Sequence, residues 1–244
     1  MTNLQLRATQ ALEQGNMSRL MELATREDFP AALGNAMTKN IIRGYDAQSF
    51  WFEHLATFTH GTSDYSLELE RYFSLSWDDL LNDDLGAFTR QVKSWGVNMK
   101  REVNAFVAKM LNGYPCVEKN KLSVENLCSG LVAIMNDNNK PEFLVVPPQL
   151  WLEAVELTRA FYLINDKEFL IIPIRNDFLT EPQAWYVFAK LPAFEVFFDS
   201  ATYQPTIETM DCADATELLK YRAWIKFNCR IKDKPLFYKS NGGS

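Results

Sequence analysis

Residues 82–114 read NDDLGAFTRQVKSWGVNMKREVNAFVAKMLNGY. Apolar residues recur in this stretch at Leu85, Phe88, Val92, Trp95, Met99, Val103, Phe106 and Met110, at steps of three and four. That step lines them up on one side of an α-helix. It predicts a buried spine-helix core of Leu85, Phe88, Val92, Met99, Val103 and Phe106. Asn82 suits the N-cap, and Asp83 and Asp84 fall in the first turn, where the helix dipole favours negative charge. Gly113 and Pro115 mark the far end. At ~1.5 Å per residue the rod is roughly 45 Å long. In a chain of 244 residues such a rod predicts a spine that carries sheets, although a core helix of an ordinary α/β domain has the same stripe.

Toward the N-terminus, Ser66 to Ser76 alternates Leu67, Leu69 and Phe73 with Glu68, Glu70 and Arg71, and predicts a strand. Thr59 to Tyr65, THGTSDY, is a polar turn. Residues 29–58 combine helical spacing at Leu33, Met37, Ile41 and Ile42, ended by Gly44, with the aromatic cluster Phe50, Trp51 and Phe52. Residues 1–24 suggest two short helices.

Toward the C-terminus, a second helix is expected from Leu122 to Asp137, capped by Ser123. A buried strand from Phe143 to Val146 stops at Pro147-Pro148 and leads into a helix from Gln149 to Ala160. Two strand-like runs joined by a hairpin turn at Asn165-Asp166-Lys167 follow, then strands at Trp185–Ala189, Phe194–Phe198 and Pro205–Asp211.

The clearest strand is Lys220 to Lys232, KYRAWIKFNCRIK. Tyr221, Ala223, Ile225, Phe227, Cys229 and Ile231 point one way; Lys220, Arg222, Trp224, Lys226, Asn228, Arg230 and Lys232 point the other. One face is therefore buried and the other carries five cations. Three uses fit that second face: a solvated surface, a subunit contact through Trp224, or a surface toward phosphates. Its candidate residues are Lys220, Arg222, Trp224, Lys226, Arg230 and Lys232.

Composition narrows the function. Hydrophobic residues make up 47% of the chain, which supplies a core and argues for order. The net charge is -6, which argues against a protein whose main task is gripping nucleic-acid phosphates. The four cysteines, at 116, 128, 212 and 229, form no CxxC pair, so no zinc ribbon or thioredoxin-like motif is expected. No signal peptide and no apolar run long enough to span a membrane is seen. The two histidines, His54 and His60, have no nucleophile motif nearby, and no GxGxxG, P-loop or HExxH occurs. No catalytic residues, no metal and no cofactor are expected. Capping explains the acidic pairs Asp78-Asp79 and Asp83-Asp84.

The segment LLNDDLGAFTRQVKSWGVNMKREVNAFVAKMLNGYP resembles the major head subunits of tailed bacteriophages, in particular the Mu-like group. Asp28-Phe29-Pro30 with Arg43-Gly44-Tyr45, the run Phe143 to Pro148, and the closing strands to Tyr238 resemble that group in the same order. The resemblance implies an α+β chain with the Hong Kong 97-type capsid fold. It puts an N-terminal arm at 1–27, a helical segment at 28–58 and a short E-loop at 59–74. The P-domain falls at 75–120 and 203–239, the A-domain at 121–202 and a flexible tail at 240–244.

It implies a subunit that assembles with itself into hexamers, pentamers and a closed icosahedral shell around double-stranded DNA, in the virion, after assembly in the host cytoplasm. Scaffolding, portal and cement or decoration proteins are the further partners, with weak contact to the packaged DNA and none to membrane. The E-loop is far shorter than the family's long hairpin. No scaffold-like segment precedes Asp28, so scaffolding is expected from another chain. An encapsulin-like nanocompartment shell, an α/β enzyme without a recognisable motif, and a nucleic-acid-binding module are the other readings.

Overall fold

In the computed structural model, the described residues are 29–61, 66–76, 85–116, 118–164, 170–212, 217–232 and 236–242, with Gln10 and Asp78. The expected helices in 1–24, the cap residues Asn82 to Asp84 and the Asn165-Asp166-Lys167 turn lie outside them, as do the side chains of Leu85 and Phe88. The chain divides into two compact units. The first comprises Met1–Ser49, His60–Arg101 and Phe198–Phe227; the second comprises Phe50–Thr59, Glu102–Phe197 and Asn228–Ser244.

The first unit is built on helix α1 (Phe29–Asp46) and the leading part of the spine helix α2 (Leu85–Gly113). Leu33, Ala36, Met37, Ile41 and Tyr45 of α1 are buried, as are Val92 and Met99 of α2. Gly44 does not end α1, which runs two residues further. Its role is spatial: a Cβ there would run into the carbonyl oxygen of Lys93. Gly96 of α2 reciprocates, because a Cβ there would run into Ile41 O and lie 2.9 Å from Tyr45 N. The two helices thus touch backbone to backbone. Lys100, only 6% exposed, lays its ammonium 4.1 Å from the Tyr45 ring.

Against these helices lie strands β2 (Leu67–Ser76), β7 (Thr206–Met210) and most of β8 (Glu217–Ile231). β2 runs antiparallel to β8 with Glu68 opposite Lys226, Glu70 opposite Trp224 and Tyr72 opposite Arg222. β7 pairs with β8 through Thr206–Trp224 and Glu208–Arg222. The expected alternation holds from Tyr221 to Cys229, where Tyr221, Ala223, Ile225, Phe227 and Cys229 are buried, but Ile231, expected on the same face, is only half-buried at the strand's end. Phe73 of β2 packs edge-on against Trp95, 5.4 Å between centroids.

The second unit contains a four-stranded sheet. Its strands are β3 (Pro141–Val146), β4 (Ile172–Arg175), β5 (Trp185–Ala189) and β9 (Phe237–Ser240), in the order β4-β3-β5-β9. β3 and β4 are parallel and are joined by α4 (Trp151–Ile164), a βαβ crossover. Both faces of this sheet are covered, which is why β5 is buried at every position. Helix α3 (Val124–Asn136), whose N-cap Ser123 accepts from Asn126 N at 3.2 Å, contributes Leu127, Leu131 and Ile134 to one side.

Aromatic rings fill the other side, with Phe188 stacked on Phe237 at 4.9 Å and beside Phe194 at 5.9 Å. α4 extends to Ile164, beyond the expected Ala160, and takes up the first of the two strand-like runs; only Ile172–Arg175 becomes a strand. Ser240, placed by the resemblance in a flexible tail, is the buried last residue of β9.

β1 (Ala56–His60) and β6 (Phe194–Phe198) complete the five-stranded sheet, order β1-β6-β8-β2, with β7 also on β8. β1 ends in the segment expected to be a turn, taking in Thr59 and His60. β1 and β2 are not paired with each other; they stand at opposite ends of that order.

The spine stripe needs one correction. Val92, Met99 and Val103 are buried as expected, but Phe106 is only half-buried. In that part of the helix Val107, Ala108 and Leu111 are the buried residues. The buried side rotates along α2, because the elements that cover it change from α1 to the aromatic turn and β9.

Candidate subunit-contact face

The non-core side of β8 gathers the residues singled out by alternation. In the first unit these are Lys220, Arg222, Trp224 and Lys226, each half-buried. The register sets carboxylates beside them. Arg222 is ion-paired with Glu70, Lys226 with Glu68 at 2.9 Å and Lys220 with Glu217 at 3.6 Å. Trp224 is doubly fixed: its indole N–H donates to Asp199 Oδ2 at 3.1 Å, and the Arg222 guanidinium lies 4.7 Å over its ring. Tyr72, 53% exposed, donates its hydroxyl to Glu70 at 2.9 Å.

That phenol hydrogen bond, then the Arg222 partner, hold the Glu70 carboxyl below the usual carboxylate range. Hydrogen bonding to the carboxylates raises Arg222 and Lys226 above their ordinary values. In the second unit Arg230 is ion-paired with Glu195 at 2.5 Å and lies 5.3 Å over the Phe197 ring. Lys232 donates its backbone N–H to Ala193 O at 3.0 Å and joins Glu195, Arg230 and Ile231 around a shallow open pocket.

Lys220, Arg222, Lys226 and Arg230 are therefore each met by an acid, beside the rings of Trp224 and Phe197. Sequence reasoning singled out the cations and missed Glu68, Glu70, Tyr72, Glu195 and Asp199. The signal for two of them was present: Glu68 and Glu70 stand at period two in a strand, on the face that a pairing with β8 turns toward its cations.

The His54 ring is parallel to Phe143, 6.1 Å away, and His60 Nε2 lies 3.1 Å from Asp199 O. Burial pushes the Cys229 thiol up to about 12, as expected of a packing residue rather than a nucleophile. Among the described residues no group of three or more His, Cys, Asp or Glu is placed to hold a metal, and no helix is long and apolar enough to cross a membrane.

Comparison with known proteins gives the fold and the family. The structure resembles the virus-like particle protein of Pyrococcus furiosus at a TM-score of 0.60 and 13% identity, covering 84% of this chain and 97% of that one. It resembles the SrpI encapsulin of Synechococcus elongatus at 0.56 and 8%, covering 81% and 88%. It resembles a chain of Mycobacterium phage Che8 at 0.52 and 15%, covering 73% and 72%. The architecture is the Hong Kong 97-type capsid fold. No curated protein matches by sequence. The family described as phage capsid protein matches residues 66–239, so this chain belongs to the phage capsid protein family, as a structural subunit of a self-assembling shell.

Proposed function

We propose that the chain is the major head subunit of a tailed phage. It forms hexamers and pentamers that close into an icosahedral shell around packaged double-stranded DNA, and it performs no catalytic step. On this reading 75–120 and 203–239 form the P-domain and 121–202 the A-domain, and the short E-loop at 59–74 gives less reach over a neighbour than the family's hairpin. Scaffolding, portal and cement or decoration proteins are its other partners, and assembly takes place in the host bacterial cytoplasm.

One observation carries the contact side of this reading: Tyr72, Arg222 and Trp224 stand together on an outward sheet face whose charges are already paired. Aromatic and arginine side chains are the usual anchors of a protein–protein contact. A locally balanced face also lets copies of net charge -6 approach, and it holds DNA weakly.

The test is negative-stain microscopy with light scattering on the full chain, alone and with the neighbouring head genes. Closed particles or five- and six-membered rings are expected. Trp224→Ala with Arg222→Ala should lower the melting point by several degrees, since both side chains are half-buried and bonded, yet leave folded protein by circular dichroism and reduce particles to free subunits; unchanged assembly would exclude this face as a contact. A wild-type chain that stays monomeric beside all its head genes would overturn the shell reading.

A second reading is a nanocompartment shell, favoured by the larger share of this chain covered by the Pyrococcus particle and the encapsulin. Particle contents separate the two: DNA for a head, a cargo enzyme for a compartment.

A further inference from the structure

Leu152 and Leu163 are the most exposed large hydrophobic side chains among the described residues, at 75% and 63%. Both belong to α4. Eleven residues make three helical turns with a residue of about 20°, so one leucine stands above the other, roughly 16 Å along the axis. Glu156 and Arg159, both exposed, fall on the same line between them. The opposite side of the helix sends Ala154, Thr158 and Phe161 inward. The stripe Leu152-Glu156-Arg159-Leu163 is thus the outward face of the βαβ crossover.

The stripe has a centre. Leu152 and Leu163 are equally far from the midpoint between Leu157 and Thr158, and so are Glu156 and Arg159. An antiparallel copy of the same helix, turned about an axis through that midpoint, sets leucine against leucine at both ends. It also sets Glu156 against Arg159 twice. A parallel copy would set glutamate against glutamate and arginine against arginine. We propose that α4 is a two-fold contact between two copies of this chain, joined along this stripe.

A second copy is the occupant because only a self-pairing helix needs its charges balanced about its own centre. The stripe is neutral, so two copies of charge -6 meet there without setting like charge against like. The contact goes beyond the shell reading: rings close through head-to-tail contacts, whereas this one is isologous and closes on itself. One helix of 14 residues buries little area, so the pairing is weak and concentration-dependent.

The full chain is tested in a Cys212→Ser background, which removes an exposed thiol. Leu152→Cys and Leu163→Cys variants are made separately, co-expressed, and treated with a thiol cross-linker of about 8 Å reach, the spacing of packed helices. Co-expressed variants should give a cross-linked dimer. Either alone should give none, since like positions lie roughly 16 Å apart. No dimer from the pair, or equal dimer from each variant alone, overturns the contact.

Charge reversal is the second arm. Glu156→Arg should weaken dimerisation about tenfold, and adding Arg159→Glu should bring it back to within about threefold. Failure of the swap to restore pairing excludes self-association along this stripe. All four positions are exposed, so an unchanged circular-dichroism melt shows that the variants fold. Particles by microscopy are a separate readout: particles without cross-links overturn this contact alone, and cross-links without particles overturn the shell reading alone.

Discussion

The two halves of the spine helix α2 are held by opposite means. In the first unit, Gly96 and Gly44 allow α1 and α2 to meet backbone to backbone; the contact is specified by side chains that are absent. In the second unit, a single long side chain does the holding. Lys239, only 2% exposed, donates from Nζ to Leu111 O at 3.3 Å, Asn112 O at 2.8 Å and Tyr114 O at 3.0 Å, the carbonyls at the end of the helix. The last carbonyls of a helix lack intrahelical donors, although Leu111 O also accepts from Tyr114 N at 3.1 Å, and the helix dipole favours a cation there. A close approach tolerates no added atom, and a buried cap tolerates no lost one.

The largest effect follows from the first half. A substitution that adds side chain at Gly96 must push two helices apart. Gly96→Val should cost about 4 kcal/mol or more and leave little folded protein in a urea melt. Gly96→Ala is the sharper version. In a free helix the change would gain ~1 kcal/mol from propensity. A net loss of about 2 kcal/mol or more therefore measures the clash itself, and a neutral result would show that the helices can part.

At the other end, Lys239→Met keeps most of the apolar stem and removes the ammonium. Three carbonyls lose a donor in a buried setting, which should cost about 2–4 kcal/mol. Lys239→Arg should recover only part of that, because a planar fork does not fit a pocket shaped for a point donor. Asn104→Ala, between the two halves, should cost less, about 1–2 kcal/mol. Its side chain accepts from the Trp51 backbone N–H at 3.2 Å, while the Trp51 indole bond to Asn104 O, 3.0 Å, survives the change.

Neither holding device was legible in the sequence, and the reason is physical. Period two in β8 placed Tyr221 to Cys229 in the core correctly, because a strand has only two faces and one of them is polar. A helix has a continuous rim. The stripe from Val92 to Val103 was readable; beyond it the cover changes and burial passes from the expected Phe106 line to Val107 and Leu111. Gly44 looked like a helix end because glycine usually marks one, and only the partner helix shows that it marks a crossing. Lys239, the last residue of the expected P-domain, carried no signal of a cap, because a lysine near a terminus is usually solvated. The family could be placed from the NDDLGAF segment and the order of the strands, but the acids that balance β8 become visible only through its pairing with β2, β6 and the Asp199 turn.

The exposed lattice on β8 is the control for this comparison, a polar array that should hold up little of the fold, and acid titration tests it. Glu70 has its carboxyl lowered from the ordinary 4.5 by the Tyr72 hydroxyl and by Arg222. A group with a depressed folded pKa contributes stability that is complete above its unfolded pKa and is lost as pH falls through the folded one. Wild type and Glu70→Gln should therefore differ most above pH 4.5 and converge below it. The gap should be small throughout, because water screens both partners. Salt should shrink the gap at neutral pH while leaving the Lys239→Met loss nearly untouched, since a buried donor is screened far less. If salt instead erased the Lys239 loss, the cap would be working as an exposed charge, and the contrast between the buried end of the spine and the open face of β8 would fail.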